Sequence, residues 1–146
     1  MLKTIIIILL SLLSSQVIYA QQPDQRIGEL INTEDWFGLD KEYPILKDSI
    51  QTPFLKVVAE AMIARNFNQK ERALDALNEL LSNYQSDLGA GVFNFFILRA
   101  QLLEEMGRYA EAADFLKNVL DQLKGQGVTQ GAGWYGLLLS AFKCSA

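Results

Sequence analysis

The sequence predicts an all-α fold built from antiparallel helix pairs, and three observations lead there. From Pro23 to about Lys124 the apolar residues recur at helical spacing, with no convincing strand-like alternation. Matching small or apolar positions early in each second helix fall at Leu39, Ala73 and Ala112, separated by 34 and 39 residues. The chain carries one cysteine and no histidine, so its stability must come from packing and not from intramolecular disulfides.

Taken in order, residues 1–20 read as a secretory signal peptide. Lys3 supplies a positive start, Ile5 to Leu13 form an apolar run broken only by Ser11, and Ile18-Tyr19-Ala20 offers a small residue for cleavage. The run falls well short of the roughly 20 residues that cross a bilayer. No cysteine stands at the cleavage site to take a lipid, so no stable membrane anchor is expected after cleavage.

The helical region spans residues 21–125. Ile27, Leu30 and Ile31 suggest a short first helix, Asn32-Thr33 a turn, and Trp36, Leu39 and Tyr43 a second helix that Pro44 should interrupt. Thr52-Pro53 reads as an N-cap and first-turn proline, with Phe54, Val57, Val58 and Ala61 on one face. Asn68 is placed to cap the next helix, with Glu71 positioned to reciprocate. That helix should bury Ala73, Leu74, Leu77, Leu80, Leu81 and Tyr84. Residues 86–91 form a glycine-bearing connector. Phe93, Phe96, Ala100 and Leu103 then share a face, Gly107 supplies a helix-ending turn, and Tyr109, Ala112, Ala113, Leu116, Val119, Leu120 and Leu123 restart the pattern.

From Gly125 the composition changes, and no acid follows Asp121. Residues 126–146 read either as a closing helix, Trp134 to Phe142, over the open end of the stack, or as a truncated or frameshifted end.

Phe96, Ala100, Leu103 and the run Gly107-Arg108-Tyr109-Ala110-Glu111-Ala112 resemble a tetratricopeptide repeat, whose turn is Gly-x-Tyr-x-Glu-Ala. Arg99 departs from the usual leucine. The unit at 54–84 keeps Ala61 and Ala73 but has Asn68 for the turn glycine and Lys70 for the turn aromatic, and the unit at 27–43 keeps only Asp35-Trp36. The resemblance implies helix pairs stacked as a short right-handed solenoid. More loosely, the leader, Ile27-Gly28-Glu29-Leu30-Ile31 followed by Asp35-Trp36-Phe37, and the Gly107-to-Leu123 helix pair resemble the helical N-terminal region of secreted Bacteroidetes retropepsin-like aspartyl proteases. The catalytic Asp-Thr/Ser-Gly of that family is missing; Asp48-Ser49-Ile50 and Asp87-Leu88-Gly89 both fail it.

Composition narrows the functional classes. Loss of residues 1–20 removes Lys3 and leaves 12 basic against 17 acidic residues, a net charge of −5 with no footprint for nucleic acid. Lack of histidine excludes histidine-based triads and zinc sites, and no cofactor is expected. Glu104 and Glu105 point about 100° apart on a helix, so they cannot converge as a catalytic pair. Cys144, with only Lys143 beside it, reads as a fortuitous thiol. Phe95 lies off the main apolar stripe and could face a partner.

The tetratricopeptide resemblance implies a ligand face on the first helix of each pair. Carried over, it consists of Val58, Met62, Arg65 and Asn66, followed by Asn94, Ile97, Gln101, Glu104 and Glu105. These expectations describe an exported, non-enzymatic scaffold for a peptide or protein partner. The alternatives are the helical part of a truncated aspartyl protease, and a structural bundle that self-associates through an uncapped end.

Overall fold

A computed structural model describes residues 22–144, so the proposed leader lies outside the described residues, as does the thiol of Cys144. The described chain is all-helical. Its helices are α1 (Pro23–Asn32), α2 (Trp36–Leu46), α3 (Pro53–Asn66), α4 (Lys70–Asn83), α5 (Val92–Glu105), α6 (Tyr109–Gly125) and α7 (Ala132–Cys144). Short 3-10 turns at Lys47–Ser49 and Gln85–Gly91 connect α2 to α3 and α4 to α5.

One turn recurs four times. After α1, α3, α5 and α6 a residue takes the left-handed conformation: Glu34 (φ 56°), Asn68 (φ 57°), Gly107 (φ 76°) and Gly127 (φ 80°). Each donates its N–H three residues back, and the following N–H reaches five residues back. The latter bonds run from Asp35 to Leu30 (3.0 Å), Gln69 to Ala64 (2.8 Å), Arg108 to Leu103 (2.8 Å) and Val128 to Leu123 (2.9 Å). This double bond satisfies the carbonyls that a helix end leaves open. Asn68 therefore does not cap α4, as its side-chain chemistry suggested. It does the work of the turn glycine, and α4 begins two residues later at Lys70.

Two other local expectations are corrected. Pro44 does not end α2 after Tyr43; the helix continues to Leu46. Asp40, whose carbonyl loses its N–H partner there, is exposed, so water can replace the bond. Thr52 and Pro53 do occupy the N-cap and first position of α3, but the Thr52 hydroxyl makes no cap. It donates instead to Asp24 Oδ2 at 2.5 Å, while Asp24 accepts the Thr52 and Gln51 N–H groups at 2.9 and 2.8 Å. Those three bonds hold the Asp24 carboxyl below its ordinary range, the Thr52 hydroxyl contributing most.

The core has two parts that share α3. Ile27, Leu30, Leu39, Tyr43 and Ile50 close over Ala59 and Ile63 on one side of α3. Val57, Val58, Ala61 and Ala64 on its other side join the larger cluster, which runs through α4, α5 and α6 to Leu137 of α7. A helix apolar nearly all round must lie between neighbours, and α3 does. Helix pairs approach over small side chains: Ala61, Ala64, Ala73, Ala100 and Ala112 have no exposed surface. Tyr109, expected in the α6 stripe, is instead exposed, whereas Phe95 is partly buried against the main core. The first pair is tied by Arg26, whose Nε and Nη2 reach both oxygens of Glu42 at 2.8 and 2.6 Å.

Two predictions follow from the turn and from Asp24. Gly107→Ala should destabilise by about 1–2 kcal/mol, the cost of a side chain in left-handed backbone, and Glu34→Gly should stabilise by up to about 1 kcal/mol. Chemical denaturation of both variants checks the opposite signs. Because the Asp24 pKa is depressed on folding, its stabilisation is complete above the ordinary value of 3.8 and fades as pH falls through the folded value. Asp24→Asn should therefore lower the melting temperature at pH 7 and make the loss below pH ~4 shallower than in the parent.

Candidate functional site

The nine residues expected on a ligand face separate into distinct environments. Val58 is only 7% exposed and belongs to the core, because α3 is packed on two sides; a ligand cannot touch it. Met62 is partly buried and packs against both core clusters. Ile97 is partly buried and faces α7, where a β-carbon on Gly136 would sit 3.0 Å from its Cδ1. Asn66, Asn94 and Gln101 are exposed. Asn66 donates from Nδ2 to the Met62 carbonyl at 2.8 Å, which leaves its amide oxygen to accept.

Arg65 and Glu105 do come together, but with each other. The guanidinium of Arg65 makes two parallel bonds to the carboxylate, at 2.5 and 3.2 Å, joining the C-terminal ends of α3 and α5. Lys70 adds its ammonium to the Glu105 carbonyl at 3.1 Å, a cation at a helix C-terminus where the backbone is electronegative. Thus Lys70, in the place of the turn aromatic, links the second pair to the third. Glu104, next to Glu105 on the helix, is half-buried.

Arg99 is the side chain that departs most from the expected apolar position, and its surroundings give the reason. Its side chain is 15% exposed and lies where α4, α5 and α6 meet. Nε donates to Asn78 Oδ1 at 2.7 Å, the guanidinium carbon lies 4.1 Å from the centre of the Phe115 ring, and Glu111 Oε1 is 3.9 Å from Nη2. Burial pushes its pKa down, opposed by the Glu111 charge. Nη1 is buried with no hydrogen-bond partner. With Nη1 buried and the rest of the guanidinium set against Asn78, Phe115 and Glu111, Arg99 acts as a structural clamp among three helices.

A groove of about 590 Å³ lies between α6 and α7, away from the nine residues. Ala113 and Leu120 of α6 and Trp134, Leu138 and Ala141 of α7 line it. Apolar periodicity did not reveal it, because the sequence left residues 126–146 either helical or not native. A warning sign was present: Trp134-Tyr135 and Leu137-Leu138-Leu139 put apolar side chains on every side of one helix. Among the described residues no group of acids or cysteines is arranged to hold a metal ion, and no helix is long and apolar enough to cross a membrane.

Arg99→Leu should leave stability unchanged or raise it slightly, since a partly desolvated charge is exchanged for an apolar side chain. Arg99→Ala should cost about 1–2 kcal/mol through lost packing and lost contact with the Phe115 ring. Thermal melts of the two variants side by side distinguish a structural clamp from a solvated arginine, which would be insensitive to both. Comparison with protein-family models, with curated proteins and with solved structures finds no match for the chain.

Proposed function

We propose that the mature chain is an exported, non-enzymatic scaffold: a short tetratricopeptide-like right-handed solenoid of antiparallel helix pairs that holds a peptide or protein partner. The observation that carries this reading is the recurrent left-handed turn. Glu34, Asn68 and Gly107 adopt the same conformation with the same pair of backbone bonds, at the 34- and 39-residue intervals read from the packing positions. A repeated unit generates a surface from its first helices, here α1, α3 and α5, and such surfaces are where repeat proteins recognise extended partners.

The chemistry of that surface supports one class of partner over others. With Val58 in the core and Arg65 consumed by Glu105, the open polar groups are the amides of Asn66, Asn94 and Gln101. Amides both donate and accept, which suits the peptide backbone better than a charged side chain or terminal carboxylate. The paired Arg65 and Glu105 close one end of that surface, at the C-termini of α3 and α5. Export rests on the leader at residues 1–20, and N-terminal sequencing of the secreted protein should begin at Gln21.

The alternative, an accessory region of an aspartyl protease, calls for a core that ends near Lys124. Leu137, with no exposed surface, is part of the main core, and α7 packs on α5 and α6. That packing favours a scaffold whose core continues into α7.

The test is selection of peptides from a displayed library on mature wild-type protein, followed by titration against Asn94→Ala/Gln101→Ala. Both side chains are exposed, so folding should be unaffected. Selected peptides should bind the double variant about tenfold more weakly, equivalent to ~1.4 kcal/mol. Failure to select any peptide, or affinity untouched by the double substitution, would overturn the assignment. So would hydrolysis by the purified protein that is abolished by changing a single acid.

A further inference from the structure

Helix α7 is seated tightly on one side and uncovered on another. A β-carbon at Gly133 would come within 2.5–2.8 Å of the Phe93 ring, so this glycine permits the approach of α7 to α5. Leu137 is fully buried. The remaining sides of the helix stay apolar: Trp134 and Leu138 face the groove against α6, and Tyr135 and Leu139 stand beside it at 58% and 66% exposure. Apolar surface gathered into a groove with a charged rim is the kind of surface that marks an association site.

The rim of the groove on α6 carries Asp114, Lys117, Asp121 and Lys124, an alternation of acid and base. Its spacing has a symmetry. Turned end over end about the level of residue 119, the pattern meets itself with signs reversed: Asp114 falls opposite Lys124, and Lys117 opposite Asp121. A parallel alignment in register would oppose each charge with its like. The same axis suits α7. The link from Gln126 to Gly131 joins the two helices, and Leu138 stands as far beyond its midpoint as residue 119 stands before it. Leu138 is also the middle residue of α7. One axis therefore centres both the charge pattern on α6 and helix α7.

We infer that the groove between α6 and α7 receives a second copy of this chain, forming a two-fold homodimer in which α6 lies antiparallel to its counterpart and Leu138 packs on Leu138. An isologous interface has to be complementary to itself, and this rim is. Within one chain Lys117 already reaches Asp121 at 3.2 Å, but both side chains are largely solvated and the pair contributes little there. Between two copies the same groups border a desolvated apolar strip, where they select register and direction. The inference does not depend on the proposed peptide surface, which lies on other helices.

Sedimentation equilibrium of the mature chain at low salt should show a reversible doubling of mass with concentration, weakened by added salt. Asp114→Lys alone and Lys124→Asp alone each replace two attractive pairs with two repulsive ones. Each should weaken the dimer by on the order of tenfold. Asp114 and Lys124 are exposed, and circular dichroism should confirm an unchanged fold. The double variant Asp114→Lys/Lys124→Asp exchanges the signs and should restore dimerisation. A monomer at every concentration would overturn the proposal and leave the groove to a different occupant, such as another protein's helix. A dimer indifferent to the single reversals, or not rescued by the double, would overturn it equally.

Discussion

The structure depends on reversing the chain sharply after a helix without leaving its last carbonyls unpaired. A residue in left-handed backbone solves both problems at once, because the two N–H groups around it turn back to the open carbonyls. Everything larger follows from where those turns fall. They set the helices of each pair against each other, and close contact then requires small residues on the facing sides, which Ala61, Ala73, Ala100 and Ala112 provide. Where the contact is with a ring instead of a helix backbone, Gly133 plays the same part beneath Phe93.

Polar groups then fix neighbouring units in place. Asp24 of α1 holds the start of α3 through Gln51 and Thr52, and Glu105 receives Arg65 and Lys70 from the preceding pair. Arg99 serves the α4, α5 and α6 junction by a different means, pairing along one edge and stacking over Phe115. Lys70 and Arg99 are thus both engaged in contacts between helices. Because the interlocks use long side chains, they span helix ends that apolar packing leaves open.

The helical character and most of the apolar faces were legible in the sequence, since burial imposes a period that composition cannot hide. The Gly107 turn was legible because glycine has little other reason to stand between two helices. Its equivalents at Asn68 and Glu34 were not. Asparagine has a capping chemistry that competes for attention, and glutamate has no turn chemistry at all; the surrounding structure imposes the conformation. Pro44 misled because a helix near its end can lose one bond to water. The candidate ligand face was legible as positions and not as environments. Val58 satisfies both a core spacing and a surface spacing, and only the packing of α3 on two sides decides between them. The Arg65–Glu105 pair joins residues 40 apart, a distance along the chain that no local pattern reports. The α6–α7 groove went unseen because it is made by a segment whose native status the composition left open.

The double-sided burial of α3 has a consequence for how the molecule comes apart. A chain of units that touch only their neighbours loosens from its ends inward, with little to make the process concerted. Here the first core and the main core are built on opposite sides of a single helix, so α3 cannot open while either cluster remains intact. Helices α1 and α2 can fray as a unit, leaving the main core in place. Once α3 itself unwinds, both clusters lose a wall together. The middle of the protein therefore behaves as a keystone, and amide hydrogens in α3 are the ones whose escape to solvent reports the global event.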